Sequence, residues 1–346
     1  MELKDSWHKL SHAWGGPLLR GRFKSTPEDF RVEENLGFVP DGAGEHLWLF
    51  IEKTGLSTFE SQSILARHFN VALRDTAFSG MKDRQGITRQ WFSLHLKNFT
   101  DEKVTQFQHP QLKILQSAAN SRKLRRGSHR SNKFCIVLRD VSGEKGESLQ
   151  LLDKINSGGV PNYFGSQRFG NADDNANKAM HWFQGKVKIA DRNEKSLLLS
   201  AARSFLFNVL LDERVKAASW NTSIDGDVMA LAGSGSVFAS GRATPEELGK
   251  RLEEFDIHPT GPLWGKGALA TAGVSALLEQ TIVHKFPELA AGLEKYGLTQ
   301  ERRPLRLRVN ELQVSFEEKT LQLEFSLDRG TYATSVLREL IVMENT

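Results

Sequence analysis

The feature that most constrains the fold of this chain is its hydrophobic spacing, which changes twice along the sequence. Spacing typical of strands occurs four times before residue 150, over Leu47–Ile51, Thr88–Leu96, Leu112–Leu115 and Phe134–Leu138. The spacing becomes helical over residues 151–304, and strand-like segments return over residues 305–346. We therefore expect a strand-rich domain built from residues 1–150 and 305–346, interrupted by a mostly helical domain over residues 151–304.

Capping residues mark two of the expected helices. Ser57 and Glu60 form a capping box ahead of a helical pattern that reaches Phe69, and Thr244–Glu247 reads Thr-Pro-Glu-Glu, a strong helix start. Other helical patterns lie at Leu149–Ile155, Ser196–Val215, Leu269–Val283, Pro287–Tyr296 and Tyr332–Met343. Strand-like alternation near the C-terminal end covers Leu305–Val309, Gln313–Phe316 and Leu321–Phe325.

Composition excludes several classes of protein. The chain has 346 residues, of which 39% are hydrophobic and 25% charged, which is typical of a globular protein with about two domains. The single cysteine, Cys135, excludes an internal disulfide and a multi-cysteine zinc site, and it suits a reducing compartment. Charged residues interrupt Met1–Gly15, so we expect no secretory signal, and no apolar stretch is long enough for a membrane helix. We therefore expect a cytoplasmic protein.

Positive charge is concentrated in one segment. The net charge of the whole chain is only +4, but residues 103–139 contain nine basic residues and no Asp or Glu. We expect the densest part of this segment to hold a polyanion such as nucleic acid, and the alternative is a solvated basic loop without a partner. The residues expected to contact phosphates are Arg122, Lys123, Arg125, Arg126, Arg130 and Lys133.

Motifs for nucleotide or zinc cofactors are absent from the sequence. The glycine-rich segment Gly233–Ser236 lacks the lysine of a P-loop, and no histidine pair has the His-Glu-x-x-His spacing. No Gly-x-Ser-x-Gly segment indicates a serine nucleophile. We therefore expect chemistry that uses neither a cofactor nor a metal.

A polar turn before the strand at Thr88–Leu96 carries the strongest candidate for a reactive group. Asp83 lies between Lys82 and Arg84, and turns carried by strands commonly present functional side chains. Neighbouring cations favour the ionised form of a carboxyl group, so we expect Asp83 to act as an anionic nucleophile or base. The same residue types are also typical of an ordinary surface turn.

Four segments of the sequence together resemble one protein family. They are Thr26–Phe30, Gly80–Arg84, Asn162–Gly170 and Tyr332–Leu340. In this order they closely resemble the TruD family of tRNA pseudouridine synthases, and they span nearly the whole chain. The resemblance implies an α+β fold, in which a pseudouridine synthase catalytic domain with a mixed or antiparallel sheet is split by a mostly helical TruD-specific insertion. This layout agrees with the interrupted pattern of hydrophobic spacing.

The resemblance also implies an activity. A member of this family isomerises a uridine in tRNA to pseudouridine, with position 13 of the D-arm as the expected target. The C1′–N1 bond breaks, the uracil turns over and C5 joins C1′, so no atoms enter or leave and no cofactor is required. The target base must first leave its stack, at a cost of a few kcal/mol. We expect tRNA as the partner, with no membrane and no obligate protein partner.

Residue roles follow from the matched positions. Asp83 matches the aspartate that is essential throughout pseudouridine synthases. The residues that the resemblance places around the substrate are Lys24 as ionic partner of the aspartate, Phe30 in the pocket wall, Lys82, Asn132 as an orienting amide and Phe134 as a stacking ring. The ordinary alternatives are a surface lysine at position 24 and a core aromatic at position 134. In the segment Asn162–Gly170 we favour a structural role, whereas Arg338 is a candidate to face the pocket.

Two other functions use the same surface. A non-catalytic RNA-binding protein or RNA chaperone would share the basic loop, but it has no use for the anion at Asp83. A nucleoside hydrolase with a catalytic aspartate would release free uracil, whereas the synthase retains it. Mass analysis of the reacted RNA therefore separates the three functions.

Overall fold

The computed structural model describes residues 7–97, 99–170 and 174–344, and the contacts within it divide the chain into two units. Within the described residues, the strand-rich unit comprises Leu18–Lys145, Val309–Gly330 and Ile341–Thr346. The helix-rich unit comprises Met1–Pro17, Gly146–Arg308 and Thr331–Leu340, with the same gaps. Each unit has its own hydrophobic core.

The strands in chain order are β1 (Leu19–Phe23), β2 (Phe30–Asn35), β3 (His46–Thr54), β4 (Thr76–Phe78), β5 (Ile87–His95), β6 (Leu112–Asn120), β7 (Ser131–Gly143), β8 (Val160–Pro161), β9 (Val228–Leu231), β10 (Val237–Ala239), β11 (Ile257–Leu263), β12 (Glu301–Pro304), β13 (Arg306–Leu307), β14 (Asn310–Glu317), β15 (Thr320–Asp328) and β16 (Ile341–Glu344). The α-helices are α1 (Thr58–Phe69), α2 (Asp101–Thr105), α3 (Lys145–Gly158), α4 (Asn175–Phe183), α5 (Arg192–Lys216), α6 (Pro245–Glu253), α7 (Gly273–Lys285), α8 (Pro287–Lys295) and α9 (Ala333–Leu340).

A mixed sheet forms the framework of the strand-rich unit. Its strand order is β14-β15-β7-β2-β5-β3-β6, with β4 beside β5 and β1 bridging β7 and β16. The strands β2 and β5 run parallel, as do β1 and β16, while the other neighbours in this sheet are antiparallel. The predicted α+β class with a mixed sheet is confirmed.

The strand β3 explains why this sheet is rigid near its centre. Leu47, Leu49 and Ile51 point to one face, where they pack with residues of α1. Trp48 and Phe50 point to the opposite face and are also buried. Because both faces are covered, the strand reads as a continuous apolar run rather than an alternating one. Its antiparallel partner β5, which follows the Asp83 turn, is thereby held in a fixed register.

The two helix starts predicted from capping residues are confirmed. The Ser57 hydroxyl accepts a hydrogen bond from the amide of Glu60 at 3.2 Å, and the Glu60 carboxylate accepts one from the amide of Ser57 at 2.7 Å. Thr244 and Glu247 make the same reciprocal pair at the start of α6. Both boxes satisfy backbone amides that the first helical turn leaves without partners.

The helix-rich unit contains strands that the sequence patterns did not predict. They form a sheet of order β10-β9-β11-β12, and the unpredicted β8 pairs separately with β13, which lies within the predicted strand-like segment Leu305–Val309. The central strand β11 carries Pro259 and Pro262, which ordinarily exclude a central position. It changes partner midway, because Ile257–Pro259 pairs with β9 and Thr260–Leu263 pairs with β12. The expectation of a mostly helical segment therefore needs this four-stranded sheet as a correction.

Two of the predicted helices have different bounds. The pattern over Tyr332–Met343 forms the helix α9 only as far as Leu340, and Ile341–Glu344 is the strand β16. The β-branched residues Ile341 and Val342 pair in parallel with β1, so pairing with the sheet overrides the helical spacing. The pattern beginning at Leu269 becomes helical only at Gly273.

The bounds of the two units differ from the predicted domain boundaries. Residues up to Pro17 and Thr331–Leu340 group with the helix-rich unit. The reason is that Trp7 and Leu10 are buried in its core, and Arg338 donates a hydrogen bond to the Leu10 carbonyl at 2.7 Å. The roles of the two units, one catalytic and one inserted, stay predictions.

Two expectations about targeting concern the ends and helices of the chain. The segment Met1–Gly15, for which we expect no secretory signal, lies partly outside the described residues, which begin at Trp7. Among the helices of the described residues, none combines the length and the apolar composition needed to span a membrane.

Candidate active site

The turn that carries Asp83 joins β4 to β5 and is held in place by three hydrogen bonds. The Lys53 ammonium donates to the Asp83 carbonyl at 2.7 Å. The Thr58 hydroxyl accepts from the Lys82 amide at 2.9 Å, and the Gln90 side-chain amide donates to the Gly80 carbonyl at 3.0 Å. Since these contacts come from β3, α1 and β5, the backbone of the turn is fixed by three elements of the core.

Glycine is required where this turn meets β2. A Cβ atom at Gly86 would lie 2.5 Å from the Phe30 carbonyl oxygen, closer than real Cβ contacts allow. The turn can therefore pass against the start of β2 only because position 86 has no side chain. This close approach brings the turn that bears Asp83 beside the Thr26–Phe30 segment.

Lys53 is a buried cation that the sequence patterns did not single out. It follows Leu47, Leu49 and Ile51 on the same face of β3, it is fully buried, and its ammonium also donates to the Leu56 carbonyl at 2.6 Å. Burial lowers the pKa of Lys53 to about 8, although the nearby Asp83 carboxylate favours the charged form. A lysine at a position where the alternation calls for an apolar residue was the available signal.

The carboxylate of Asp83 contacts one ammonium group, that of Lys24, at 2.9 Å. The Asp83 side chain is 35% exposed and that of Lys24 is 14% exposed, so the pair is partly open to solvent. The Lys24 ammonium also lies 3.9 Å from the centre of the Phe30 ring, a cation–π contact. Lys24 has a left-handed backbone with φ of 59°, which costs a non-glycine residue about 1 kcal/mol. The structure thus brings together Asp83, Lys24 and Phe30.

The two cationic side chains that flank Asp83 in the sequence bond to other groups. The Lys82 ammonium forms a buried ion pair with Glu34 at 2.7 Å, with side chains 5% and 0% exposed. The Arg84 guanidinium donates to the Gly55 carbonyl at 3.1 Å. The substrate-binding role predicted for Lys82 is therefore not supported by this geometry, because its ammonium lies beneath the turn. A buried pair of this kind instead fixes the position of the turn.

The basic loop between β6 and β7 is tied to the same turn through Ser79. The Ser79 hydroxyl accepts from the His129 amide at 2.8 Å and lies 2.6 Å from Nδ1 of the His129 ring. A neutral ring can make this contact in either tautomer, because Nδ1 either accepts the hydroxyl proton or donates its own proton to the hydroxyl oxygen. The Gly127 amide adds a hydrogen bond to the Ser79 carbonyl at 2.9 Å.

The ring of His129 is held in its neutral form by its environment. Burial lowers the pKa of His129 to about 4, and the positive charges of Lys82 and Arg329 act in the same direction. The Glu34 carboxylate, 4.0 Å from Nδ1, is already paired with Lys82. The loop that carries the basic residues therefore rests on a buried, uncharged histidine.

Phe134 lies within a cluster of aromatic rings on one face of the sheet. Its ring stacks on Phe325 with centres 5.4 Å apart and an angle of 25°, and it is 6.2 Å from the ring of Phe30. Phe134 is only 7% exposed. The packing agrees with a core residue at the edge of the site, and a stacking role toward a target base stays a prediction.

Asn132 lies opposite Glu34, one member of the Lys82–Glu34 ion pair, in the register of β7 and β2. Its side-chain oxygen is buried and has no hydrogen-bond partner among the described residues. A buried acceptor without a partner is unusual in a folded protein, so this amide is a candidate for an external donor.

The six basic residues expected to contact phosphates divide into two groups. Arg122, Arg125 and Arg130 are exposed. The other three are exposed but engaged: Lys123 donates to the Arg74 carbonyl at 2.6 Å, Lys133 pairs with Glu324 at 3.4 Å, and Arg126 lies 3.6 Å from the centre of the Phe78 ring. The first group is therefore better placed than the second to meet phosphates.

Two predictions concern residues of the helix-rich unit. Tyr163, Phe164 and Phe169 of the segment Asn162–Gly170 are buried in its core, which confirms their structural role. Arg338 is only 6% exposed, and besides the Leu10 carbonyl it contacts the Glu339 carboxylate at 2.9 Å. Its candidate role of facing a pocket is not supported by this placement.

Comparisons with known proteins identify the family to which the chain is similar. A family model described as tRNA pseudouridine synthase D (TruD) matches residues 10–178 and 177–340. Curated proteins named tRNA pseudouridine synthase D are similar over nearly their whole length. The chain is 41% identical to the protein from Hydrogenovibrio crunogenus, covering 96% of each, and 42% identical to that from Pseudomonas putida strain KT2440, covering 95% of this chain and 93% of the other.

A solved structure shows the same fold. The crystal structure from Methanosarcina mazei, described as a tRNA pseudouridine synthase D, aligns with a TM-score of 0.74 and 20% sequence identity, covering 97% of each chain. The family model and the curated relatives establish membership beyond the fold alone. The chain belongs to the tRNA pseudouridine synthase D (TruD) family.

Proposed function

We propose that this chain isomerises the uridine at position 13 of the tRNA D-arm to pseudouridine, with the Asp83 carboxylate acting on the sugar of the flipped-out nucleotide. The observation that carries the proposal is the Asp83 carboxylate itself, held at 2.9 Å by Lys24 and still 35% exposed. Family membership supports tRNA as the substrate. Catalysis by Asp83 and the D-arm target are the parts that need testing.

The reaction needs one reactive group that is held still. The C1′–N1 bond breaks, the freed uracil rotates, and a bond forms between C5 and C1′. The proton on C5 is then lost and N1 gains one, so the composition of the RNA does not change. Asp83 serves either by attacking C1′ or by removing a sugar proton, and both routes require a carboxylate fixed relative to the sugar. The three hydrogen bonds that pin the turn provide this fixed position.

Binding energy must offset the cost of extruding the uridine. Extrusion costs a few kcal/mol, and contacts to phosphates supply binding energy without reading the sequence. Arg122, Arg125 and Arg130 are exposed on the loop that is joined to the Asp83 turn through Ser79. Phosphates bound there would hold the RNA close to Asp83.

The test is pseudouridine formation by the full chain and its Asp83→Asn variant on D-arm transcripts. We expect the variant to lose activity by roughly a hundred- to ten-thousandfold or more, because it has the shape but not the charge of the carboxylate. Asp101→Asn, at an exposed aspartate of the same unit, is the matched control and should stay active. Activity of Asp83→Asn equal to that of the wild type would refute the proposal.

Further RNA substrates test the target position, the type of reaction and the chemical role of Asp83 separately. A transcript with cytidine at position 13 should yield no pseudouridine, and modification at another uridine would refute the target. Release of free uracil would indicate a hydrolase, and tight binding without conversion would indicate a non-catalytic RNA-binding protein. Deuterium on the sugar carbon next to C1′ should slow the reaction severalfold if Asp83 removes that proton, and leave it nearly unchanged if Asp83 attacks C1′.

A further inference from the structure

Two large apolar side chains are exposed beside Asp83. Met81, two residues before Asp83, is 68% exposed, and Phe59, at the start of α1, is 54% exposed. They flank the same hydrogen bond, because the Lys82 amide, next to Met81, donates to the hydroxyl of Thr58, next to Phe59, at 2.9 Å. The backbone positions that carry the two exposed side chains therefore lie close together.

An arginine extends this surface toward the basic loop. The Arg126 guanidinium lies 3.6 Å from the centre of the Phe78 ring and 6.0 Å from that of Phe59. The rings of Phe59 and Phe78 meet edge to face with centres 5.6 Å apart. We call Met81, Phe59 and Arg126 together the exposed patch. It combines apolar and aromatic side chains with a planar cation, which are the groups that stack on nucleobases.

The backbone beneath Met81 is fixed, although its side chain is exposed. The Gly80 carbonyl on one side is held by Gln90 and the Lys82 amide on the other by Thr58. Two residues of chain span at most about 7 Å, so the Cα atoms of Met81 and Asp83 lie within that distance. A nucleotide whose sugar meets the Asp83 carboxylate would therefore place its neighbouring bases within reach of the flexible Met81 side chain.

Extrusion of a base leaves the faces of its two neighbours without a stacking partner. Proteins that unstack nucleic acid commonly insert an apolar side chain at such a step, which recovers part of the lost stacking. Resting on the proposed function, we propose that Met81, Phe59 and Arg126 form a stacking surface for the nucleobases that flank the flipped-out uridine. Met81 enters the gap left by the uracil, and Phe59 with Arg126 receives the adjacent base.

The chemistry of the patch favours RNA over a protein partner as its occupant. Arg84 is exposed on the same turn as Met81 and lies 3.7 Å from the Glu60 carboxylate, and the patch itself contains the Arg126 guanidinium, so the apolar side chains have cations nearby. The patch is also continuous with the turn that bears Asp83, and through Phe78 and Ser79 with the loop joined to that turn. A polyanion that carries planar bases complements both properties.

The test compares two RNAs that differ only in how easily the target leaves the stack. One is a stem–loop with the target uridine paired, and the other has the same sequence with the target bulged. Met81→Ala and Phe59→Ala should reduce the single-turnover rate on the paired RNA by roughly ten- to a hundredfold. On the bulged RNA the reduction should be under about threefold, because extrusion there costs little. Leu115→Ala, at another exposed apolar residue of this unit, should change neither rate.

A binding measurement tests the inference without relying on the chemistry. A 2-aminopurine placed next to the target brightens when the uridine is extruded, and this can be followed with the inactive Asp83→Asn protein. Adding Met81→Ala should reduce the brightening at saturating protein, while the melting temperature stays within about 2 °C because the side chain is exposed. Unchanged brightening, or equal losses of rate on both RNAs, would overturn the inference. If the wild type converts neither RNA, the proposed function fails, and the fluorescence still decides the role of the patch.

Discussion

The buried ring of His129 should make the strand-rich unit sensitive to acid in a way that can be calculated. The folded protein holds this ring neutral, with its pKa lowered to about 4, whereas the unfolded chain takes up a proton near the ordinary value of 6.5. The unfolded state therefore binds more protons between these values. The stability that depends on neutral His129 is fully present above pH 6.5 and is lost as the pH falls toward 4.

The size of the effect follows from the two pKa values. Each unit of separation corresponds to about 1.4 kcal/mol, so the full loss is about 3 kcal/mol, of which about 2 kcal/mol is reached by pH 5. The ring is 9% exposed on its side chain, so little of this effect is screened by solvent. Protonation would also constrain the contact with Ser79, because a protonated Nδ1 can only donate and the hydroxyl oxygen would then accept from both Nδ1 and the His129 amide.

The variant His129→Asn isolates this contribution. Its side-chain oxygen can replace Nδ1 as the acceptor for Ser79, but it takes up no proton in this pH range. Urea unfolding of both proteins from pH 7.5 to pH 5 gives the free energy of unfolding at each pH. We expect the wild type to lose about 2 kcal/mol more than the variant over this range. Nuclear magnetic resonance should show the His129 ring titrating near 4.

Gln116→Ala provides the control, because Gln116 is exposed on β6 and its side chain does not titrate. This substitution should leave the pH dependence of unfolding parallel to that of the wild type. If the wild type and His129→Asn also run parallel from pH 7.5 to pH 5, the ring does not take up its proton on unfolding and the assigned environment is wrong. A ring titration midpoint near 6.5 would refute the reasoning directly.

Two further predictions concern the aromatic cluster and the basic loop. Phe134→Ala should lower the free energy of unfolding by about 3–5 kcal/mol, since the ring is buried against Phe325. If the Phe134 ring also stacks on the target base, the turnover per folded molecule should fall for Phe134→Ala and change little for Phe134→Tyr. Unchanged turnover of Phe134→Ala would show that Phe134 is a core residue only. Neutralising Arg122, Arg125 and Arg130 together should flatten the dependence of log affinity for tRNA on log salt by about 2–3 units. Neutralising the engaged set Lys123, Arg126 and Lys133 should change it less, and parallel lines for both triple variants would place the RNA elsewhere.

Much of the fold could be predicted because its signals are local. The apolar run Leu47–Ile51 became β3, and the capping boxes at Ser57 and Thr244 became the starts of α1 and α6. In each case the pattern and its structural cause lie within one turn or one strand. The helical spacing at Ser196–Val215 likewise became part of the long core helix α5.

The elements that were missed depend on distant partners. The strand β16 exists because β1, more than 300 residues earlier in the sequence, pairs with it in parallel. The strand β11 tolerates two prolines because β9 and β12 divide its length between them. Neither partnership leaves a mark in the local sequence, so propensity alone favours the wrong element.

The residues of the candidate site also divide into those that the sequence could identify and those that depend on distant partners. Asp83, Lys24 and Phe30 could be named from family motifs, and the structure brings all three together. Glu34 and His129 could not, because one is an acidic residue in a strand and the other a histidine in a basic loop. They matter only because Lys82 and Ser79, each at a separation of about 50 residues, lie against them.

The buried groups around the turn also bear on the reactive role that we propose for the Asp83 carboxylate on a basic surface. Four cations of the described residues adjoin Asp83 in sequence or space, but Lys82 is paired with Glu34 and Arg84 is directed to the Gly55 carbonyl. Within the part of the chain that the structure describes, the carboxylate pairs with Lys24 alone, and the buried Lys53 reaches the Asp83 backbone carbonyl rather than its side chain. Each cation that bonds a carboxylate stabilises its charge and weakens it as a base or nucleophile. For the proposed action of Asp83 on the sugar, the consequence is that the neighbouring cations are diverted into other pairs, while the Asp83 side chain stays 35% exposed and is oriented by Lys24.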